Sequence, residues 1–141
     1  MATPNTLRGL ATLTFYATDL AAARDWYAQF LGTEAYFAFP KTGNPAYVEF
    51  RIGDYQHELG IIDAQYAPRP LGEAGGPIAY WHVDDIEAVY TRLLSLGATE
   101  FEPITQRANS NFVTASVIDP FGNLLGIMYN PHYLEIVSAI Q

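Results

Sequence analysis

The chain has no cysteine. That single absence excludes disulfides, thiolate metal ligands and thiol nucleophiles. It also agrees with a cytoplasmic location, which is the expectation adopted here. Basic residues are few: seven Lys and Arg stand against fifteen Asp and Glu, giving a formal charge of −8. An acidic chain without a basic stripe repels phosphate backbones, so nucleic acid is excluded as a partner. Long apolar runs are missing too. None approaches the roughly 20 residues that a bilayer demands, so no membrane partner is expected. Met1 to Thr6 lack a basic segment leading into an apolar one and do not read as a secretory signal. Gly72-Glu73-Ala74-Gly75-Gly76 is rich in glycine, yet no Lys-Ser/Thr follows, so it reads as a flexible loop rather than a phosphate cradle. There is no Gly-x-Ser-x-Gly elbow for a serine hydrolase.

What the chain does have is bulk and repetition. Half of its 141 residues are hydrophobic, with ten Tyr and eight Phe, enough for one domain or two small halves sharing a core. Asp19-Leu20 opens an amphipathic stretch that closes at Leu31-Gly32, and Asp85-Ile86 opens another that closes at Leu96-Gly97. Each begins on an acidic cap and ends on glycine, as helices do. Leu20, Ala23, Tyr27 and Phe30 match Ile86, Val89, Leu93 and Leu96 at a constant offset of 66. Those spacings lay one apolar face of each helix against a sheet.

A strand precedes each helix. Ala11–Ala17 alternates Ala11, Leu13, Phe15 and Ala17 with Thr12, Thr14 and Tyr16. Ile78–Val83 alternates Ala79, Trp81 and Val83 with Ile78, Tyr80 and His82. Three strands follow each helix, near Glu34–Phe39, Ala46–Ile52 and Gln56–Ile62, then near Thr99–Ile104, Phe112–Ile118 and Leu124–Tyr129. Gly53-Asp54 and Asp119-Pro120-Phe121-Gly122-Asn123 supply turns. The reading is therefore α+β. It has a first βαβββ module over residues 1–66, a Pro- and Gly-rich linker over 67–77, a second module over 78–129, and a partly apolar tail over 130–141. The tail is expected to form a short helix packed on the domain or on a partner subunit.

These features resemble the vicinal oxygen chelate superfamily, which includes glyoxalase, bleomycin-resistance proteins and extradiol dioxygenases. The carriers are Tyr16-Ala17-Thr18-Asp19-Leu20 leading into Trp26-Tyr27, Val83-Asp84-Asp85-Ile86, and above all Asp119-Pro120-Phe121-Gly122-Asn123 running into the last strand. The resemblance implies curled mixed sheets that enclose a cavity, and commonly a homodimer. It also implies a divalent metal held by His and Glu from the first and last strands of each half. Here the metal pattern fails. The usual His lies seven positions before the capping Asp, which gives Thr12 and Ile78; the last carboxylate falls at Gly126. For the fourth ligand, one count gives Glu58, while the internal repeat gives Gly60. One carboxylate does not make a catalytic site, which takes about three protein ligands. No metal or other cofactor is expected.

The resemblance places Thr12, Thr14, Tyr16, Gln56, Glu58, Gly60, Ile78, Tyr80, His82, Leu124, Gly126 and Met128 on the concave face. That mixture of apolar, aromatic and a few polar groups suits a small organic ligand. Thr12, Thr14, Tyr16, Gln56, Ile78, Tyr80, Leu124 and Met128 are the expected ligand contacts. Glu58 and His82 are the acid–base candidates, with a structural hydrogen bond as the plainer reading of each. His57 should point away from Glu58, and Trp26 and Trp81 should pack helix on sheet. Three readings follow. The first is a metal-free binder of a drug or metabolite, resembling bleomycin-resistance proteins. The second is a lyase, isomerase or dioxygenase using Glu58 and His82, with or without a metal. The third is an interaction protein whose cavity is filled by its own side chains.

Overall fold

The computed structural model describes residues 6–140. The chain divides after Ala67 into two compact units. In the first, strand β1 (Thr12–Ala17) leads into helix α1 (Leu20–Leu31). Strands β2 (Phe37–Phe39), β3 (Tyr47–Ile52) and β4 (His57–Asp63) follow, with a short 3₁₀ turn at Ala64–Tyr66. In the second, β5 (Tyr80–His82) leads into α2 (Ile86–Ser95). Then come β6 (Thr99–Gln106), β7 (Val113–Ile118), β8 (Leu124–Tyr129) and a terminal helix α3 (Pro131–Ile140).

Each unit builds the same four-stranded sheet, in order β1-β4-β3-β2 and β5-β8-β7-β6. The first strand pairs parallel with the last, and the remaining pairs are antiparallel. A parallel pair requires a crossover, and the helix provides it. Both helices start as the sequence indicates: Asp19 and Asp85 accept the backbone N–H of Ala22 and Ala88, each at 3.0 Å. Gly32 closes α1 in the left-handed region at φ 73°.

Alternation along the strands divides each sheet into a helix-covered face and a helix-free face. In the first unit Phe15, Ala17, Val48, Phe50, Leu59 and Ile61 are buried with Leu20, Ala23 and Tyr27 of α1. In the second, Ala115, Val117, Leu125 and Ile127 are buried, as are Tyr90 and Leu93 of α2. Trp26 joins the first cluster edge-on to Tyr27, with ring centroids 4.7 Å apart.

Several strand boundaries differ from the sequence reading. β2 is only Phe37–Phe39, and of the preceding stretch Tyr36 donates its backbone N–H to the Glu49 carbonyl of β3 at 3.1 Å. β5 is only Tyr80–His82, so Ile78 precedes the strand. β6 runs on to Gln106 through Pro103, with register shifts between Glu100 and Thr105. Proline has no N–H for the ladder and is tolerated on an edge strand such as β6.

The Asp119 turn shows why that segment is so recognisable. Asp119 is 3% exposed. Its Oδ1 accepts the N–H groups of Phe121 (2.9 Å) and Asn123 (2.8 Å), and its Oδ2 accepts the Asn123 amide at 3.0 Å. Gly122 provides the left-handed residue at φ 95°. One carboxylate thus takes three donors of the β7–β8 connection, and the Gly122 N–H goes to the Asp119 backbone carbonyl at 3.2 Å.

Candidate functional site

On the helix-free face of the first unit, strand register assembles a row of three side chains: Thr12 lies opposite Glu58, and Glu58 opposite Arg51. Thr12 donates its hydroxyl to Glu58 Oε1 at 2.8 Å, and Arg51 Nη1 approaches Oε2 at 3.1 Å. The Thr12 hydrogen bond, followed by that of Arg51, holds the Glu58 carboxyl below its ordinary range despite some desolvation. Arg51 is itself fixed. It donates to the Gln56 carbonyl at 3.3 Å and stacks 4.6 Å from the centre of the Tyr36 ring. Gln56 sits in the β3–β4 turn at φ 55°, a left-handed conformation uncommon for a residue other than glycine.

The next row holds Thr14, Gly60, Glu49 and Phe37. Tyr47 donates its hydroxyl to Glu49. In doing so its ring lies across Gly60, where an added Cβ would meet the Tyr47 hydroxyl at 2.6 Å. Burial raises the Glu49 pKa, and the nearby Glu58 charge raises it further, with Arg51 acting in the opposite direction. Phe37 in this row and Phe39 beside it are 41% and 64% exposed.

The second unit repeats the device with other residues. Tyr80, Gly126, Ser116 and Glu102 share a row. Glu102 Oε1 accepts from the Tyr80 hydroxyl at 2.7 Å and from Ser116 Oγ at 2.9 Å. Arg107 Nη2 lies 3.3 Å from Oε2, while its Nε donates to Thr114 Oγ1 at 2.8 Å. The Tyr80 and Ser116 hydrogen bonds keep the Glu102 carboxyl ionised to lower pH than usual. Tyr80 again roofs a glycine. A Cβ on Gly126 would lie 2.8 Å from Tyr80 Cδ1, from Ile78 Cγ2 and from the Ala79 carbonyl.

His82 lies at the end of β5. Its Nδ1 accepts the backbone N–H of Asn130 at 3.1 Å, which puts the ring proton on Nε2, 3.1 Å from Asp84 Oδ1. The ring stacks on Tyr133 of α3 at 5.0 Å and 12°. Both nitrogens are engaged inside the second unit, whereas Glu58 is engaged inside the first.

The expected contacts therefore fall into two sets. Thr12, Thr14 and Tyr16 share the helix-free face of the first unit with Glu58, while Gln56 lies in the turn beside it. Tyr80, Leu124 and Met128 occupy that face of the second unit, with Ile78 just before the strand. Tyr47, Glu49 and Arg51 were not assigned from sequence, nor were Glu102, Arg107 and Ser116. The alternation of Tyr47, Glu49 and Arg51 with buried Val48 and Phe50 was the available signal.

The side chains do not fit the metal that the fold family implies. Thr12 commits its hydroxyl to Glu58, Ile78 offers only carbon, and Gly126 has no side chain and no space for one. Among the described residues no group of three His, Cys, Asp or Glu is placed to hold a metal ion. Nor is any described helix long and apolar enough to cross a membrane.

Solved structures with this fold are numerous. A superfamily member from Sphaerobacter thermophilus superposes with a TM-score of 0.70 at 21% identity, over 88% of this chain and 98% of its own. A glyoxalase-related enzyme from Fulvimarina pelagi gives 0.66 at 20%, over 89% and 90%. TioX from Micromonospora sp. ML1 gives 0.64 at 18%, over 86% and 98%. At these identities the likeness shows the fold alone. No curated protein matches the chain. Residues 9–127 match the family profile described as Glyoxalase/Bleomycin resistance protein/Dioxygenase superfamily, and the chain belongs to that superfamily.

Proposed function

We propose that this protein binds a small organic molecule against the helix-free faces of its sheets, without a metal. The observation that carries the reading is the composition of those faces. Exposed aromatic rings sit beside a few polar groups already held in one orientation: Glu58 by Thr12 and Arg51, and Tyr80 by Glu102. Sites for organic ligands combine an apolar surface with few, fixed polar groups in this way. The ionisable groups are tied to one another, which favours recognition over Lewis-acid chemistry.

A thermal-shift screen of small, partly aromatic compounds tests this. A binder gains stability as RT ln(1 + [L]/Kd), so a ligand at about 100 times its Kd adds about 2.7 kcal/mol. The expected result is a concentration-dependent rise in Tm that persists in the presence of a chelator. A screen with no responder removes the reading, as does a stoichiometric divalent metal in protein purified without chelator.

One observation favours a catalytic reading as second. Glu58 is a carboxylate fixed in hydrogen-bond contact with the Thr12 hydroxyl, the placement a proton-transfer group needs, although the hydrogen bonds that lower its pKa also make it a weaker base. His82, the other acid–base candidate, has its ring nitrogens occupied by Asn130 and Asp84. Turnover of any screened ligand that vanishes in Glu58→Gln, with binding retained, would favour catalysis.

A further inference from the structure

Glu49 is the unresolved charge of the first unit. Its carboxylate is half-buried, desolvated and repelled by Glu58. Its hydrogen-bond partner is the neutral Tyr47 hydroxyl, and among the described residues no Lys, Arg or His side chain forms an ion pair with it. Arg51, the nearest compensating charge, is directed to Glu58 and the Gln56 carbonyl. A part-buried carboxylate without a cation is unfavourable unless something supplies one.

Its surroundings indicate what that would be. Phe37 stands directly across from Glu49 in the strand pairing, with Phe39 two residues on and Tyr47 6.2 Å from the Phe37 ring. Phe37 and Phe39 are large apolar side chains left exposed. A small metal ion would find the Glu49 carboxylate and aromatic carbon there, Glu58 being tied to Thr12 and Arg51, which is a poor ligand set for hard cations. An anion would meet the charges of Glu49 and Glu58. An organic cation with a flat apolar body satisfies both features: its charge neutralises Glu49, and its body lies on the rings, whose faces attract cations. The Tyr47 hydroxyl already donates to Glu49, which leaves that ring to act through its face.

We infer that the helix-free face of the first unit takes a planar aromatic cation, with Glu49 as counter-ion and Phe37 and Phe39 as stacking surface. This rests on the binding role proposed above and narrows it to a chemical class.

The test is calorimetric titration of the full chain with three matched probes: N-methylquinolinium, neutral quinoline at pH 8, and a quinoline carboxylate. The cation should bind at least about tenfold more tightly than neutral quinoline, which corresponds to one favourable charge contact in a part-buried site. The carboxylate should bind most weakly. Glu49→Gln should abolish the preference for the cation and leave neutral quinoline unchanged, provided its Tm matches the parent. Phe37→Ser, at an exposed position, should weaken both cation and neutral probe. Equal binding of all three, preference for the carboxylate, no binding of the cation, or a cation preference that survives Glu49→Gln would each overturn the inference. Responders of other chemistry in the wider screen would still uphold the binding role.

Discussion

Gly60 and Gly126 occupy matching places in the two units, but they tolerate change differently. At Gly60 a new Cβ meets the far end of the Tyr47 side chain, which can swing aside at the loss of its bond to Glu49. At Gly126 it also meets the Ala79 carbonyl, and backbone cannot swing. Gly126→Ala should therefore lower stability by about 1–3 kcal/mol, the usual range for overpacking, and Gly60→Ala by less. Urea denaturation of the two variants checks the order; equal losses would mean that the Ala79 carbonyl yields. The sequence made both glycines visible through the offset of 66 and the strand alternation around them. It could not show that a tyrosine lies over each. Tyr47 reaches Gly60 diagonally across β3 and β4, a contact that depends on register and on the Glu49 bond together. Thr12, Glu58 and Gly126 were legible because they are defined by counting from turns and caps. Arg51 and Glu102 were missed because their role comes from neighbours on other strands.

At the scale of elements, helices α1 and α2 and the order of all eight strands along the chain were readable from periodicity, caps and turn residues. The lengths of β2, β5 and β6 were not, since pairing decides where a ladder starts and stops. The role of His82 was also hidden. From sequence it is an acid–base candidate on a strand; in the structure it holds the start of α3, whose residues are none of them buried. Asn130 contributes its N–H to His82 and its side-chain oxygen to the N–H of His132 at 2.9 Å, so strand end and helix start share one joint. The side chain of His82 is only 7% exposed, so removing the acceptor leaves a shielded N–H unpaired, at a cost of about 1–3 kcal/mol. His82→Leu should raise amide exchange across α3 by at least about tenfold while β7 and β8 stay protected. Unchanged exchange in α3 would show that contacts other than the His82 ring hold the helix.

Across the whole chain, the duplicated module was the strongest signal, because two weak patterns at one offset support each other. What the sequence left open was which charged groups each face combines. Those combinations arise only once four strands lie side by side. The Asp119 carboxylate has a separate consequence, for the order in which the chain folds. The donors that Phe121 and Asn123 bring to it lie within four positions along the chain, so this turn can close on local hydrogen bonds. Local closure is fast, and long-range parallel pairing such as β5 with β8 has to wait for it. Asp119→Ala should therefore slow refolding more than it speeds unfolding in stopped-flow chevrons. Were the unfolding limb to carry the whole effect, the nucleus would have to be sought elsewhere in the chain. The residue that makes this family easiest to recognise on paper would then also be where the second unit starts to take shape in time.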